Sequence, residues 1–297
     1  MAKYTGTAGD DSWTVVQAGT FTLDGLGGTD TLNLGTSLLK DYVISRQADG
    51  AVQIDSVSGA SASLHATLYN IENLVFNSGR ETVDLSTFFA PRILNGTDGN
   101  DRLAGGRGID QIDGGAGIDT VVYAGNRANF TLAAQGAAFI LSDKTGAEGV
   151  NLLRNAERLQ FADASVALDI HGNGGQAYRL YQAAFNRTPD QAGLGFWIRA
   201  LDIGVPLKDV AAGFVMSAEW QALYGTDSTD RALLAGIYEN VLHRTPDDGG
   251  LQFWLDILGT HAASLAEVLV AFSEGFENQA ALIEVIGKGV VYTPYGT

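Results

Sequence analysis

Three aspartates recur every nine residues near the middle of this chain. Asp101, Asp110 and Asp119 each take the sixth place of a nonapeptide: "GTDGNDRLA" (96–104), "GGRGIDQID" (105–113) and "GGAGIDTVV" (114–122). Glycines at the first, second and fourth places allow the positive backbone angles of a tight turn and let main-chain carbonyls converge on a small ion. The sixth-place carboxylate then faces that ring, while Leu103, Ile112 and Val121, at the eighth place, point inward along a short strand. The chemistry this suits is oxygen ligation of a cation, with Gly96, Asp98, Gly105, Gly114 and Gly115 completing the candidate metal site around the three aspartates. A weaker echo lies near the N-terminus, where "GTAGDDSWT" (6–14) and "GLGGTDTLN" (25–33) put Asp11 and Asp30 in sixth place, but "VVQAGTFTL" between them lacks the signature. A second cation site between Asp11 and Asp30 and plain turn structure both fit that segment.

Composition narrows the partners. The formal charge is −16, from 34 acidic against 18 basic residues, which disfavours nucleic acid and anionic membrane surfaces and favours cations. No cysteine occurs, so disulfides, thiolate metal sites and a thiol nucleophile are all excluded. The start, "MAKYTGTAGDDSWTVV", carries no apolar run of the secretory kind, and no stretch anywhere is long and apolar enough to span a bilayer. Membrane insertion is therefore not expected.

The elements that must hold these turns fall into two halves. Up to about residue 172, glycine and aspartate clusters punctuate short β-branched runs such as "DYVISRQ" (41–47), "GAVQIDSV" (50–57), "NFTLAA" (129–134) and "AAFILSD" (137–143), the pattern of strands joined by tight turns. This half is duplicated: Asp30 is followed by "TLNL", a strand pair and "NIENLVF" (70–76), and Asp119 by "TVVY", a strand pair and "NAERLQF" (155–161). After "DIHGNGGQ" (169–176), which reads as a linker, alanine and leucine take over. There "LYQAAFNRTPDQAGLGFW" (180–197) aligns with "IYENVLHRTPDDGGLQFW" (237–254), pairing Arg187 with Arg244 and Trp197 with Trp254. In each copy Thr-Pro predicts a helix start, with Thr188 as N-cap, Pro189 at the first helical position and Gln191 completing a capping box. Phe196, Trp197, Phe253 and Trp254 read as core. The expected organisation is multidomain β plus α: two short parallel β-roll or β-sandwich-like units, 1–90 and 91–171, then an all-α domain, 172–297, of two tandem repeats (about 176–225 and 229–286).

The nonapeptides resemble the Gly-Gly-x-Gly-x-Asp repeats of the RTX, or hemolysin-type, calcium-binding proteins. In that family two nonapeptides make one coil of a parallel β-roll, so the resemblance implies that Asp101 and Asp119 stack on one edge and share Ca²⁺, with Asp110 on the opposite edge. Calcium suits such a donor set, being a hard cation that takes six to eight oxygens, whereas magnesium tolerates an irregular shell poorly. The segments Tyr123 to Arg127 and Ala156 to Asp163 are similar to those that commonly close the unit after such arrays in RTX proteins. The helical repeats resemble the domain of unknown function 4214, a family without an established activity.

No His-Glu-x-x-His or Gly-x-Ser-x-Gly motif occurs, and His65, His171, His243 and His261 are scattered, so an enzyme is not expected. Carboxylate pairs such as Asp10 with Asp11 read as metal ligands or solvated turns. Together with the resemblance, this implies an exported, non-catalytic calcium-binding protein of the bacterial cell surface, folding on Ca²⁺ after type I secretion and working in adhesion, biofilm or surface-layer assembly. Extracellular polysaccharide or surface-layer components are the expected partners beside calcium, and "VIGKGVVYTPYGT" (285–297) is the candidate export segment. A calcium-dependent carbohydrate-binding module and an enzyme of unrecognised type are the alternatives.

Overall fold

Each nonapeptide turn launches one short strand, and successive strands alternate between two walls. In the computed structural model, which describes residues 1–15, 19–47, 49–57, 63–226 and 228–296, β1 (Ala2–Thr5) and β2 (Ser12–Thr14) form a first coil, and β3 (Gly19–Asp24) and β4 (Thr31–Asn33) a second. Val16 to Ala18, inside the nonapeptide that lacks the signature, lie outside the described residues. A hairpin of β5 (Tyr42–Arg46) and β6 (Val52–Ser56) then intervenes before β7 (Leu64–Tyr69) and β8 (Asn73–Phe76) complete a third coil, closed by β9 (Glu81–Asp84). β1, β3 and β7 run parallel, as do β2, β4 and β8, while the hairpin and β9 add antiparallel strands at the far edges. Inward positions follow the period of two: Leu23, Leu32, Ile44, Ile54, Leu68, Leu74 and Phe76 are all buried between the walls.

A short helix, α1 (Leu85–Phe88), capped by the Asp84 carboxylate, leads into the second copy. Its strands are β10 (Ile93–Asn95), β11 (Arg102–Leu103), β12 (Ile109–Asp113), β13 (Thr120–Val122), the hairpin β14 (Phe130–Gln135) and β15 (Ala138–Asp143), and then β16 (Val150–Arg154), β17 (Arg158–Gln160) and β18 (Ser165–Ala167). The order is the same, element for element. The sheet β10-β12-β16-β15-β14 repeats β1-β3-β7-β6-β5, including the parallel steps and the antiparallel hairpin. The mixed β-then-α layout read from the sequence holds, with the β part built as parallel coils interrupted by hairpins. By compactness the chain divides into residues 1–117 with 121–155, and residues 118–120 with 156–297.

In the second of these units β18 pairs antiparallel with β17 on one side and with β19 (Val290–Tyr292) on the other, so part of the C-terminal segment is a strand with Val290 and Tyr292 buried. Thr297 lies outside the described residues. Among the described residues the helices of this unit come in two sets of four: α2 (Asn173–Phe185), α3 (Gln191–Asp202), α4 (Leu207–Val215) and α5 (Ala218–Tyr224), then α6 (Asp230–Leu242), α7 (Asp248–Gly259), α8 (Leu265–Ser273) and α9 (Phe276–Ile286). α2 packs on α6 and α4 on α8, around a core that includes Leu180, Phe214, Leu234, Ile237, Val268 and Leu269.

Three expectations are corrected here. The glycines of "DIHGNGGQ" are not a linker: α2 begins at Asn173, and a Cβ on Gly175 would lie 1.8 Å from the Ile170 carbonyl oxygen, so glycine is needed for close packing. The N-cap of α3 is Asp190 rather than Thr188, because Asp190 keeps extended backbone angles and its Oδ1 accepts from the Gly193 N–H at 2.7 Å; Asp247 does the same for Gly250 at 2.8 Å. Phe196 and Phe253 are exposed, at 40% and 56%, while Trp197 and Trp254 are half-buried and pack against Phe214 and Phe272 at 4.7 and 5.2 Å between ring centroids. One face of α3 and α7 thus carries the ring that reaches the core, and the phenylalanine just before it turns outward.

Asp190 also accepts from the Tyr181 hydroxyl at 2.9 Å. The Gly193 N–H and then Tyr181 hold its carboxyl below the ordinary carboxylate range. Asp190→Ala should lower stability by about 1 kcal/mol in urea unfolding at neutral pH. A depressed folded-state pKa gives stability that is present above the unfolded value, near 4, and lost as pH falls through the folded one, so the difference between the two proteins should shrink as pH falls below about 4.

Candidate metal centre

The sixth-place aspartates are held by main-chain N–H groups. Within a turn, Oδ2 accepts from the second-place N–H: Thr7 to Asp11 at 2.6 Å, Thr97 to Asp101 at 2.6 Å, and Gly106 to Asp110. The threonine hydroxyls add a second bond, at 2.8 Å to Asp11 and 2.9 Å to Asp101. Between coils, Oδ1 accepts from a main-chain N–H of the coil before it: Asp11 N–H to Asp30 at 2.8 Å and Arg92 N–H to Asp110 at 2.8 Å. Asp11 and Asp30 are therefore brought together, through the backbone of the one and the carboxylate of the other. Asp10 accepts from the Thr29 N–H at 2.7 Å.

The first-place glycines show why the consensus excludes a side chain there. A Cβ on Gly6 would lie 2.7 Å from the Gly25 carbonyl oxygen and 2.8 Å from Asp11 Oδ2, and one on Gly96 would lie 2.0 Å from the Gly114 carbonyl oxygen and 2.9 Å from Asp101 Oδ2. On Gly105 the neighbours are Asn151 Oδ1 at 2.5 Å and Asp110 Oδ2 at 2.9 Å; on Gly25 they are the Asn70 carbonyl oxygen at 2.2 Å and Asp30 Oδ2 at 2.3 Å. At each turn, then, a carboxylate oxygen and a second oxygen, in three cases main-chain, converge over a glycine. Gly115, at positive φ, stands 2.2 Å in the same measure from the Thr97 carbonyl oxygen, and Asp98 is exposed in its turn.

Asp30 differs from the other turns. Its second-place residue, Leu26, sits in the left-handed region (φ 70°) and donates its N–H to Asp24 Oδ1 at 3.1 Å instead. Gly115 likewise donates to Asp113 Oδ1, at 3.2 Å. Asp30 is wholly buried, and its Oδ2 has no hydrogen-bond partner among the described residues. Asn151 Oδ1, beside Asp110, is also buried without one. At Asp30, Oδ2 and the Asn70 carbonyl oxygen both crowd the place of a Gly25 Cβ, and the buried Oδ2, with no donor among the described residues, is costly unless a cation or a proton joins it. No group of three or more His, Cys, Asp or Glu side chains able to hold a metal occurs among the described residues. Any ion here would draw chiefly on carbonyl and amide oxygens around a single carboxylate, a donor set of the kind calcium accepts.

Sequence reasoning missed the residues that close these turns. Asn70, at φ 48°, donates its amide to Asp24 Oδ1 at 2.8 Å, and Asn155, at φ 46°, donates to Asp113 Oδ1 at 2.8 Å. Glu72 accepts from the Asp30 N–H at 2.8 Å, and Glu157 from the Asp119 N–H at 2.8 Å. Burial pushes the Glu157 carboxyl up, the Asp119 N–H opposes this, and the like charge of Asp119 adds to it. The signal was present in the matched "NIEN" and "NAER" segments, which read only as closing strands. Asp119, wholly buried, lies with Glu157 in the second compact unit, whereas Asp101 and Asp110 lie in the first.

Residues 176–224 and 211–282 match the family model described as "Domain of unknown function (DUF4214)". The first match runs from within α2 to the end of α5 and the second from within α4 into α9, on the tandem helical repeats. None of the curated proteins compared with the chain matches it. Among solved structures it is similar to the extracellular lipase LipA from Serratia marcescens, at 13% identity and a TM-score of 0.21, over 52% of this chain and 38% of the lipase. The chain thus spans well under half of that protein. Among the described residues no helix is long and apolar enough to cross a membrane.

Proposed function

We propose that the β part is a calcium clip: an exported, non-catalytic protein whose glycine turns close on Ca²⁺ outside the cell, with a role in surface adhesion or matrix assembly. The observation that carries this reading is the buried Asp30 Oδ2, without a hydrogen-bond partner among the described residues, beside a glycine whose Cβ place it crowds together with the Asn70 carbonyl oxygen. The nonapeptide array, Asp101, Asp110 and Asp119 with the glycines between them, supports it by chemistry of the same kind. Clustered buried carboxylates resist folding where calcium is scarce, and millimolar calcium outside the cell matches the affinity of about 10⁻⁴–10⁻³ M found for extracellular modules. Binding free energy then becomes folding free energy.

Asp30→Asn tests the site directly, since it keeps the side chain's size and removes its charge. Without calcium this variant should be at least as stable as the parent, because it removes a wholly buried charge whose Oδ2 has no donor among the described residues. In calorimetric titration its weakest resolved calcium site should be lost or weakened by about tenfold or more. Equal isotherms for the two proteins would remove Asp30 from the calcium reading.

A further inference from the structure

Basic residues are few in this chain, and Arg158, Arg179, Arg187 and Arg244 are spent in ion pairs. Arg46 and Arg107 are not: among the described residues neither has a carboxylate within salt-bridge distance. Both line one cavity of about 530 Å³ in the first compact unit. Each guanidinium lies over a phenylalanine ring, Arg46 over Phe89 at 4.8 Å and Arg107 over Phe88 at 4.4 Å, and the two rings meet edge to face at 5.1 Å. The stack fixes the faces of both guanidiniums and leaves their N–H edges for other partners. Arg107 Nη1 donates to the Ile44 carbonyl at 3.0 Å; no hydrogen bond from the Arg46 side chain occurs among the described residues.

The acids near this cavity are already engaged. Glu148, whose charge acts on Arg107, accepts from the Ala124 and Gly125 N–H groups at 3.0 and 2.7 Å. Asp143, on the cavity wall, accepts from the Thr145 N–H and hydroxyl and from the Glu148 N–H, at 2.7 to 2.9 Å. Besides Gln47 and four glycines, the rest of the wall is apolar, with Phe89, Pro91, Ile109 and Val150, and Ile109 is 67% exposed. Arg46, exposed, and Arg107, half-buried, thus present two guanidiniums without a directly bonded carboxylate beside exposed apolar surface, and one kind of molecule satisfies both parts.

We infer that this cavity binds a small organic anion with a flat or aliphatic apolar body, the anionic group taken by the N–H edges of Arg46 and Arg107 and the body by Phe89, Pro91, Ile109 and Val150. This is independent of calcium. The test uses 2-naphthoate and octanoate as probes, with 2-naphthalenemethanol as the uncharged control, titrated into the whole protein by calorimetry. Saturable binding of at least one anion is expected, with the alcohol weaker by about tenfold or more. Arg46→Gln and Arg107→Gln should each weaken the anion by a similar factor, and Asp143→Asn should tighten it by removing a like charge. Ile109→Asp, at an exposed position that does not threaten folding, should weaken it as well. Absence of saturable binding by both anions, equal affinity for the alcohol, or unchanged affinity in Ile109→Asp and both arginine variants would overturn the inference.

Discussion

Arg158→Met should destabilise the helical unit by about 3–5 kcal/mol. The Arg158 side chain is 4% exposed and binds Asp202 at 2.6 Å, Asp169 at shorter range and the Glu157 carbonyl at 2.8 Å. Asn173 donates to Asp202 at 2.9 Å and the Gly174 N–H to Asp169 at 3.1 Å, so this cluster ties β17 to the start of α2 and the end of α3. Burial pushes the Asp169 carboxyl up and Arg158 pulls it back. Without the guanidinium two carboxylates are left together in a largely buried site. Urea unfolding should show the loss at neutral pH, and replacing Asp169 and Asp202 by leucine in the same protein should recover much of it, because an apolar cluster leaves no charge unpaired. A loss under about 1 kcal/mol would place the cluster among solvated surface pairs.

The second large effect separates glycines that are needed from glycines that are merely present. Gly25→Ala drives a methyl group to within 2.3 Å of both the Asn70 carbonyl oxygen and Asp30 Oδ2, whereas Gly9→Ala, in the preceding turn, meets nothing nearer than 3.9 Å. Gly25→Ala should therefore cost about 1–3 kcal/mol and abolish any calcium-dependent gain in stability, while Gly9→Ala stays within about 0.5 kcal/mol of the parent. Gly96→Ala, 2.0 Å from the Gly114 carbonyl oxygen, should behave like Gly25→Ala, and Gly99→Ala, with only the Thr97 hydroxyl at 3.8 Å, like Gly9→Ala. Thermal unfolding of the four variants, with and without calcium, checks the pattern. Equal behaviour of the two classes would mean that the turns are not closed as described.

How much of this was legible depended on how local the cause was. The hairpins at 42–56 and 130–143 follow from alternating β-branched runs and lie within a residue or two of their expected places. The duplicated helices were visible because a constant offset between 180–197 and 237–254 repeated the same aromatic and capping residues. The N-cap was misassigned because Thr-Pro-Asp offers two oxygens within three residues, and only backbone angles decide between Thr188 and Asp190. β19 was not legible at all: three residues near the C-terminus become a strand only because β18 lies open beside them. In the site, the nine-residue period located the aspartates, but the closing residues Asn70, Glu72, Asn151 and Glu157 stand 40 or so positions downstream of the turns they complete, where no period points. The Arg46 and Arg107 cavity is likewise a product of tertiary packing between copies whose sequences give no reason to pair them.

The central claim is that these turns hold calcium, and the unfolding midpoint of the unmodified protein in calcium, in magnesium and in chelator tests it most directly. Calcium at about 100 times its dissociation constant should stabilise the fold by about 2.7 kcal/mol per site, which raises the midpoint by several degrees, while magnesium at the same concentration should leave it near the value in chelator. Three coincident midpoints would contradict the account.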